Sequence, residues 1–390
     1  PRSERAAARR RLFRAQNTLV QFGREVSVRI AIAPNLLVVP FALLVAIASV
    51  SCGREPSSAA GGQATPSRIV LYVSADDALY RPVIQTFEAA SGAKVEVVPD
   101  TEATKTFGLV RKLLDEKDAP KADLFWAGEP LGVIRLAKEG VVGDLSIADR
   151  RGQAVRAQWI PLGYRARVIV FHKDRFTAGA EPRRLGDLLA PDLKGRVGFA
   201  RPQFGTTRTH FAALLAAFGE EAYERFLVAL RDHGARVYDG NSMVVQAVAQ
   251  GEISAGLTDS DDVEAGRQQR WPVSARGGTA DLGASKPGEG AGAVLMMPHL
   301  VAAIARPDTT DEQKKLIARF VSHLLTDEVQ TLFLRTHQAL QPSEAANLPR
   351  IEMSPEALSR SGAEVLPDYR DVAAQELRAI EIFERVWRER

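Results

Sequence analysis

Cysteine is almost missing from this chain: Cys52 stands alone among 390 residues. That excludes an intrachain disulfide framework and any zinc site built from several thiolates. Catalytic signatures are missing as well. No Gly-x-Ser-x-Gly elbow, no His-Glu-x-x-His pair and no phosphate-cradling Gly-x-x-x-x-Gly-Lys loop occurs. His172, His210, His233, His299, His323 and His337 show no ligand spacing, and His210 in "GTTRTHF" reads as a surface residue on a helix face. The six Tyr include no adjacent pair. No basic stripe with interleaved aromatics appears, so nucleic acid is not expected as a partner.

The charge that is present is unevenly placed. Residues 1–51 carry eight Arg against Glu4 and Glu25; the whole chain is +3, so the remainder is −3. The basic segment leads into "IAIAPNLLVVPFALLVAIASVS", 22 residues without a charge, and Cys52 follows at once. A basic stretch, an apolar run and small residues describe an export signal. The lone Cys at its end resembles the lipidation site of a bacterial lipoprotein, although Ser49 stands where Leu is usual. A plain signal peptide and a retained anchor are the alternatives, since about 20 apolar residues span a bilayer. All three place the folded part outside the cytoplasm, in the periplasm or on the outer face of the membrane. The next stretch, "GREPSSAAGGQATPS", reads as a flexible tether.

From "RIVLYV" onward, short β-branched runs alternate with helix-spaced apolar residues. "KVEVV", "ADLFW", "ARVIVF", "GRVGFA", "ISAGLT" and "AVLMMPHLVAAIA" read as strands. Helices are expected between them, with stops at Gly92, Gly140, Gly219 and Gly234. "NSMVVQAVAQG" is a short helix capped by Asn241 or Ser242, and "DEQKKLIARFVSHLL" is amphipathic. The alternation predicts an α/β fold with a mainly parallel sheet.

Polar residues gather where such sheets bind ligands, beyond the carboxyl ends of strands. Ser74, Asp76 and Asp77 follow the first strand. "DTEATKT", with Thr104, follows the second, and Glu129 the third. Gly205, Thr206 and Thr207 open a helix after "GRVGFA". Thr258, Asp259, Asp261 and Asp262 follow "ISAGL". The last run is not an EF-hand loop, because Val263 stands where a third oxygen is needed. Helix caps explain about half of such residues. Either the clustered Asp residues form a solvated loop tip, or they face a ligand that needs them.

"LYVSADDALYRPVIQTFEAASGAKVEVV", "ADLFWAGEP", "YRARVIVFHKD", "LKGRVGFARPQFGTTRTH", "NSMVVQAVAQGEISAGLTDSDD" and "LVAAIARPDTTDEQKKLIARFVSHLLTDEVQ" together resemble extracellular solute-binding components of ABC importers. The branch they resemble is the ferric-ion-binding type, over about residues 68–340. The resemblance implies a two-lobed type II periplasmic-binding-protein fold with a ligand cleft between the lobes. It implies a monomeric receptor, not an enzyme, that delivers a solute to a permease and its ATPase. No cofactor is implied, only a transported ligand. Lobe 1 is expected over 68–163 and 283–325, lobe 2 over 164–282 and 326–390, after a leader (1–51) and a tether (52–67).

The expected ligand residues are Ser74, Asp76, Asp77, Thr104, Glu129, Arg165, Gly205, Thr206, Thr207, Asn241, Asp259, Asp261 and Asp262. Where the family has two adjacent Tyr on its metal, this chain has Asp261 and Asp262; Asp76 and Glu129 match its other metal ligands. These four carboxylates are the expected metal set, with Fe(III) leading. The family's partner anion matches Gly205, Thr206 and Asn241, while Asp259 stands where Asn is common. An organic amine or zwitterion (a polyamine, thiamine or an aminophosphonate) is the other reading, and a purely anionic ligand is the third. An enzyme on the same fold would need a poised acid–base pair, for which Asp261 and Asp262 are the nearest candidates.

Overall fold

The computed structural model describes residues 67–100, 106–148, 154–280, 282, 292–335, 364–365 and 367–388. The leader, Cys52, the tether and Thr104 lie outside them. The described residues belong to one compact unit.

Three parallel strands start the chain's order: β1 (Arg68–Val73), β2 (Lys94–Pro99) and β3 (Leu124–Ala127), arranged β2-β1-β3. Every β1 residue after Arg68 is buried, because helices cover both faces of a parallel sheet and demand an unbroken apolar run. Helix α1 (Asp77–Ser91) buries Leu79, Val83, Ile84 and Phe87 at helical spacing. Gly92 ends it at φ 70°, a left-handed turn that glycine adopts without a Cβ clash, and its N–H bonds Glu88 O. Helices α2 (Phe107–Asp115) and α3 (Pro130–Lys138) continue the alternation. A small hairpin of β4 (Leu145–Ala148) and β5 (Ala154–Ala157) follows.

A second parallel set is made by β7 (Val197–Ala200), β8 (Arg236–Tyr238) and β9 (Ala255–Asp259), in the order β9-β7-β8. Between β7 and β8 runs α4 (Gly205–Asp232), broken at Gly219, whose φ of 75° and ψ of 169° interrupt the helix where the sequence predicts a stop. Helix α5 (Asn241–Ala249) precedes β9 and α6 (Ser260–Gln268) follows it.

Two long antiparallel strands connect the sets. Strand β6 (Trp159–His172) pairs with β11 (Val294–Ala303) through Ala166, then with β9 from Arg167 onward. Strand β11 also pairs with β3, and a register shift lies at His299/Leu300. Strand β10 (Val273–Arg276) pairs with β6, and the two-residue β12 (Glu364–Val365) with β11. The expected mainly parallel sheet is therefore mixed: two parallel triplets, each flanked by an antiparallel strand. The long strands are antiparallel because β6 leaves the first half for the second and β11 returns to the first.

Separate cores support the halves. Ile69, Leu71, Trp126 and Phe320 anchor one, with α7 (Asp311–Leu324) against it. Phe199, Phe211, Leu227 and Phe383 anchor the other, where α9 (Tyr369–Arg388) packs along α4 and reaches α3. Helix α8 (Asp327–Arg335) buries Val329 and Phe333 in the first core. Expected in lobe 2, this segment packs in the first half, because Phe333 finds the Trp126 ring at 5.8 Å. Among the described residues no helix is long and apolar enough to cross a membrane.

Candidate functional site

Strands β7 and β9 end at one edge, and the helices that follow them start there. Thr206 of α4, Asn241 at the start of α5 and Asp259 at the end of β9 meet at Arg167, which is fully buried at the point where β6 enters the second half. Arg167 and Asp259 are direct cross-strand partners, so the ladder itself sets their charges side by side. Arg167 Nη1 donates to Asp259 Oδ1 at 2.8 Å, to Thr206 Oγ1 at 3.2 Å and to Asn241 Oδ1 at 3.3 Å. Asp259 Oδ2 accepts from Thr206 Oγ1 at 2.5 Å and from Asn241 Nδ2 at 2.9 Å. Thr207 Oγ1 donates to Asn241 Oδ1 at 3.2 Å.

Burial alone would raise the Asp259 carboxyl. The guanidinium of Arg167, then that of Arg165 and the hydrogen bonds from Thr206 and Arg167, outweigh burial and hold it below the usual carboxylate range. Although Asp259 precedes α6 at the capping position, its side chain makes no capping bond. The carboxylate turns to Arg167 instead, since a buried guanidinium needs a counter-charge more than an amide needs a cap. Asn241 likewise departs from the expected cap role: it is the first helical residue, Gly240 precedes it, and its amide joins this network.

His210 is fully buried on the far side of Arg167. Arg167 Nε donates to its Nδ1 at 3.4 Å, which leaves the proton on Nε2, 2.7 Å from Thr279 O. Burial first, then the neighbouring Arg167 charge, push the imidazole down to about 3, so it is neutral. The surface position expected for His210 is wrong, because α4 turns this face toward the sheet.

Arg165 lies two residues earlier on β6 and bridges the halves. Its Nη1 donates to Asp261 Oδ2 at 2.9 Å and its Nη2 to Gly128 O at 2.8 Å, with Nε 3.7 Å from Asp259 Oδ2. Burial works against this charge, but Asp261 and Asp259 outweigh burial and fix Arg165 as a cation. Glu129 also joins the halves. It caps α3 by accepting from the N–H groups of Leu131 and Gly132, and it accepts from Thr209 Oγ1 of α4 at 2.8 Å. Burial and, secondarily, Glu376 raise its carboxyl above the ordinary value, against those three hydrogen bonds. Nearby, the Phe107 ring of α2 meets Phe204 at 6.4 Å, and the Arg208 guanidinium lies 5.6 Å over Phe107.

Between these groups lies a cavity of about 110 Å³. Ser74, Asp76, Glu129, Arg165, Gly205, Thr206, Thr207, Asn241, Asp259 and Asp262 line it, so ten of the expected residues converge on one space. Asp261 stands behind Arg165 rather than in the lining. Asp77 does not converge: it is exposed on α1 and accepts from Tyr80 and from Arg81 Nε. The expected four-carboxylate metal set is not assembled. Asp259, Asp261 and Asp262 bring oxygens within 4.8 Å of one another, but neither Asp76 nor Glu129 belongs to that group. Glu129 is held by the α3 amides and Thr209, and Asp259 and Asp261 face guanidiniums.

Sequence reading missed Arg201, Asp239, His299 and the central Arg167, all but the last of which line the cavity, and it left Asp100 and Thr106 of the flagged "DTEATKT" run out of the ligand set although both line it. Thr106 carries a φ of 56°, unusual for a β-branched residue, and its hydroxyl lies 2.6 Å from Ser74 Oγ. Arg167 had a detectable signal. It alternates with Arg165 along a strand otherwise apolar, and an isolated charge there needs a buried partner.

Residues 69–337 match the family described as bacterial extracellular solute-binding protein. Among curated proteins, the major ferric iron-binding protein of Neisseria meningitidis serogroup A is 27% identical over 203 residues, 50% of this chain and 60% of that protein. The Fe(3+)-binding periplasmic protein of Serratia marcescens is 26% identical over 223 residues, 56% of this chain and 62% of that protein. The aligned region thus spans about 60% of these relatives' length. Among solved structures, iron-bound HitA from Pseudomonas aeruginosa superposes with a TM-score of 0.61 at 20% identity, covering 82% of this chain and 99% of that one. The periplasmic binding protein AfuA of Actinobacillus pleuropneumoniae, with fructose-6-phosphate bound, gives 0.60 at 17% identity, covering 81% and 97%. These superpositions establish the fold.

Proposed function

From the premise that this chain belongs to the bacterial extracellular solute-binding proteins, we propose that it is the capture receptor of an ABC importer and that its solute is a cation. One observation carries the reading. The cavity between the halves is lined by Asp76, Asp100, Asp239, Asp259, Asp262 and Glu129 against Arg165 and Arg201. Asp259 is matched by Arg167 and burial raises the Glu129 carboxyl, which leaves Asp76, Asp100, Asp239 and Asp262 against Arg165 and Arg201, and this excess of carboxylate favours positive charge in the space. Hard cations take oxygen ligands, and Fe(III) is the leading solute, in keeping with the names of the relatives. An organic ammonium compound is the second reading. It is favoured by Arg165 and Arg167, which already engage Asp261 and Asp259 and leave fewer carboxylates for a metal.

The proposed ligand residues are Ser74, Asp76, Arg165, Gly205, Thr206, Thr207, Asn241 and Asp262. The proposed lobes keep 68–163 with 283–325, and 164–282 with the C-terminal helix; α8 is added to the first because its apolar face lies in that core. Lipidation at Cys52, a monomeric state, and delivery to a permease with its ATPase complete the proposal.

The test is metal analysis and native mass spectrometry of the purified protein, followed by titration with chelated Fe(III), spermidine, thiamine and 2-aminoethylphosphonate. A stoichiometric cation adduct, with compaction in small-angle scattering, is expected. Tight binding of a purely anionic solute with none of these cations bound would sink the cation reading.

A further inference from the structure

The start of α4 is an anion-attracting place. Its first turn, Gly205 to Thr207, opens a helix of fourteen residues before the Gly219 break, and the fully buried Arg167 stands beside it with Arg165. A helix start with free N–H groups next to guanidiniums ordinarily recruits a phosphate or carboxylate from solution. Here a carboxylate of the chain already takes the side-chain donors at that place. Asp259 offers its two oxygens to Arg167 Nη1 at 2.8 Å, Thr206 Oγ1 at 2.5 Å and Asn241 Nδ2 at 2.9 Å, with Arg165 Nε at 3.7 Å.

Three features show that this is built rather than incidental. The cross-strand register with Arg167 fixes where the carboxylate projects. Asp259 forgoes a capping bond to its own helix in order to reach these donors. The donors come from three different elements, β6, α4 and α5, so no local preference brings them together.

We propose that Asp259 is a built-in anion: its carboxylate fills the anion place at the start of α4, so that solute capture needs no co-bound anion and anionic groups are turned away from that end of the cavity. This rests on the reading of the cavity as the solute site. It reassigns Asp259 from ligand to specificity-determining residue. The solute's positive part is left to the exposed Asp76 and the half-buried Asp262, both in the cavity lining.

The experiment compares the parent with Asp259→Gly and Asp259→Asn, using inorganic phosphate and formate as probes in calorimetry and thermal denaturation. The parent is expected to show no saturable anion binding and no change in midpoint. Asp259→Gly opens a hole beside a buried guanidinium, so phosphate or formate should bind at least about tenfold more tightly than to the parent and raise the midpoint. Adding Thr206→Val to that variant should remove the gain. If Asp259→Gly is too unstable to purify, Asp259→Asn, which keeps the shape and removes the charge, should gain anion binding in the same direction. Saturable phosphate binding by the parent that Thr206→Val abolishes would overturn the inference, as would folded variants that remain blind to both anions. Parent anion binding that Thr206→Val leaves intact would defeat the cation reading while leaving this assignment of Asp259 standing. The two failures are therefore separable.

Discussion

Two short stretches look alike in sequence and differ in the folded molecule. "SADD" (Ser74–Asp77) follows an apolar strand and "TDSDD" (Thr258–Asp262) runs off the end of one, and both place acids at the start of a helix. In the first, Asp76 and Asp77 are exposed, and Asp77 is held by Tyr80 and Arg81 of its own helix. In the second, Asp259 and Asp261 are buried, at 1% and 8% exposure. The difference comes from the neighbouring strand. β1 is flanked by β2 and β3, while β9 is flanked by β6, which supplies Arg165 and Arg167. A cluster of acids thus becomes a buried site only where a distant strand brings its counter-charge.

The sharpest way to break this comparison is to remove that counter-charge. Arg167→Met leaves Asp259 as a buried charge without its main partner and should cost about 3–5 kcal/mol in urea unfolding. A loss too small to measure would place the Arg167 network on the same footing as the solvated acids of α1.

The next effect is a pH dependence. His210 is held down to about 3 from an unfolded value of 6.5, so folding keeps it neutral where the unfolded chain would take up a proton. Its contribution is complete above pH 6.5 and is lost as pH falls toward about 3. Asp259, held below its ordinary 3.8, is lost in the same direction but at lower pH. The thermal midpoint should therefore fall across this window, and His210→Asn should flatten the upper part of the fall. A midpoint that rises on acidification through this window would contradict the buried neutral imidazole.

The smallest effect belongs to Asp77→Ala. Its ion-pair partner Arg81 is exposed and one turn away on the helix, and such pairs contribute little. No measurable change in stability or solute binding is expected; a marked loss of binding would put Asp77 into the cavity after all.

Much of the alternation was legible. Gly92 and Gly219 end or break helices where their freedom at positive φ suggested, and β1, β3, β7 and β9 lie on the apolar runs that predicted them. The convergence of ten candidate residues on one cavity follows from the rule that strand ends gather ligands. Other details were not legible. Asn241 reads as a cap and acts as a network amide; His210 reads as surface and is buried; α8 reads as part of the second lobe and packs in the first core. Each of these depends on which face of an element meets which neighbour, and no local pattern carries that.

The sequence by itself determined the α/β class, the helix ends set by Gly92 and Gly219 and the strand ends at which polar residues collect, because apolar period and glycine conformation act over a few residues. Only the tertiary structure decided that Asp259 meets Arg167, 92 positions away, that Glu129 meets Thr209 across 80, and that Asp77 meets only its own helix. The physical reason is the range of the forces. A propensity is settled within one turn, whereas a buried charge finds its partner only after β6 has passed from one half of the molecule into the other.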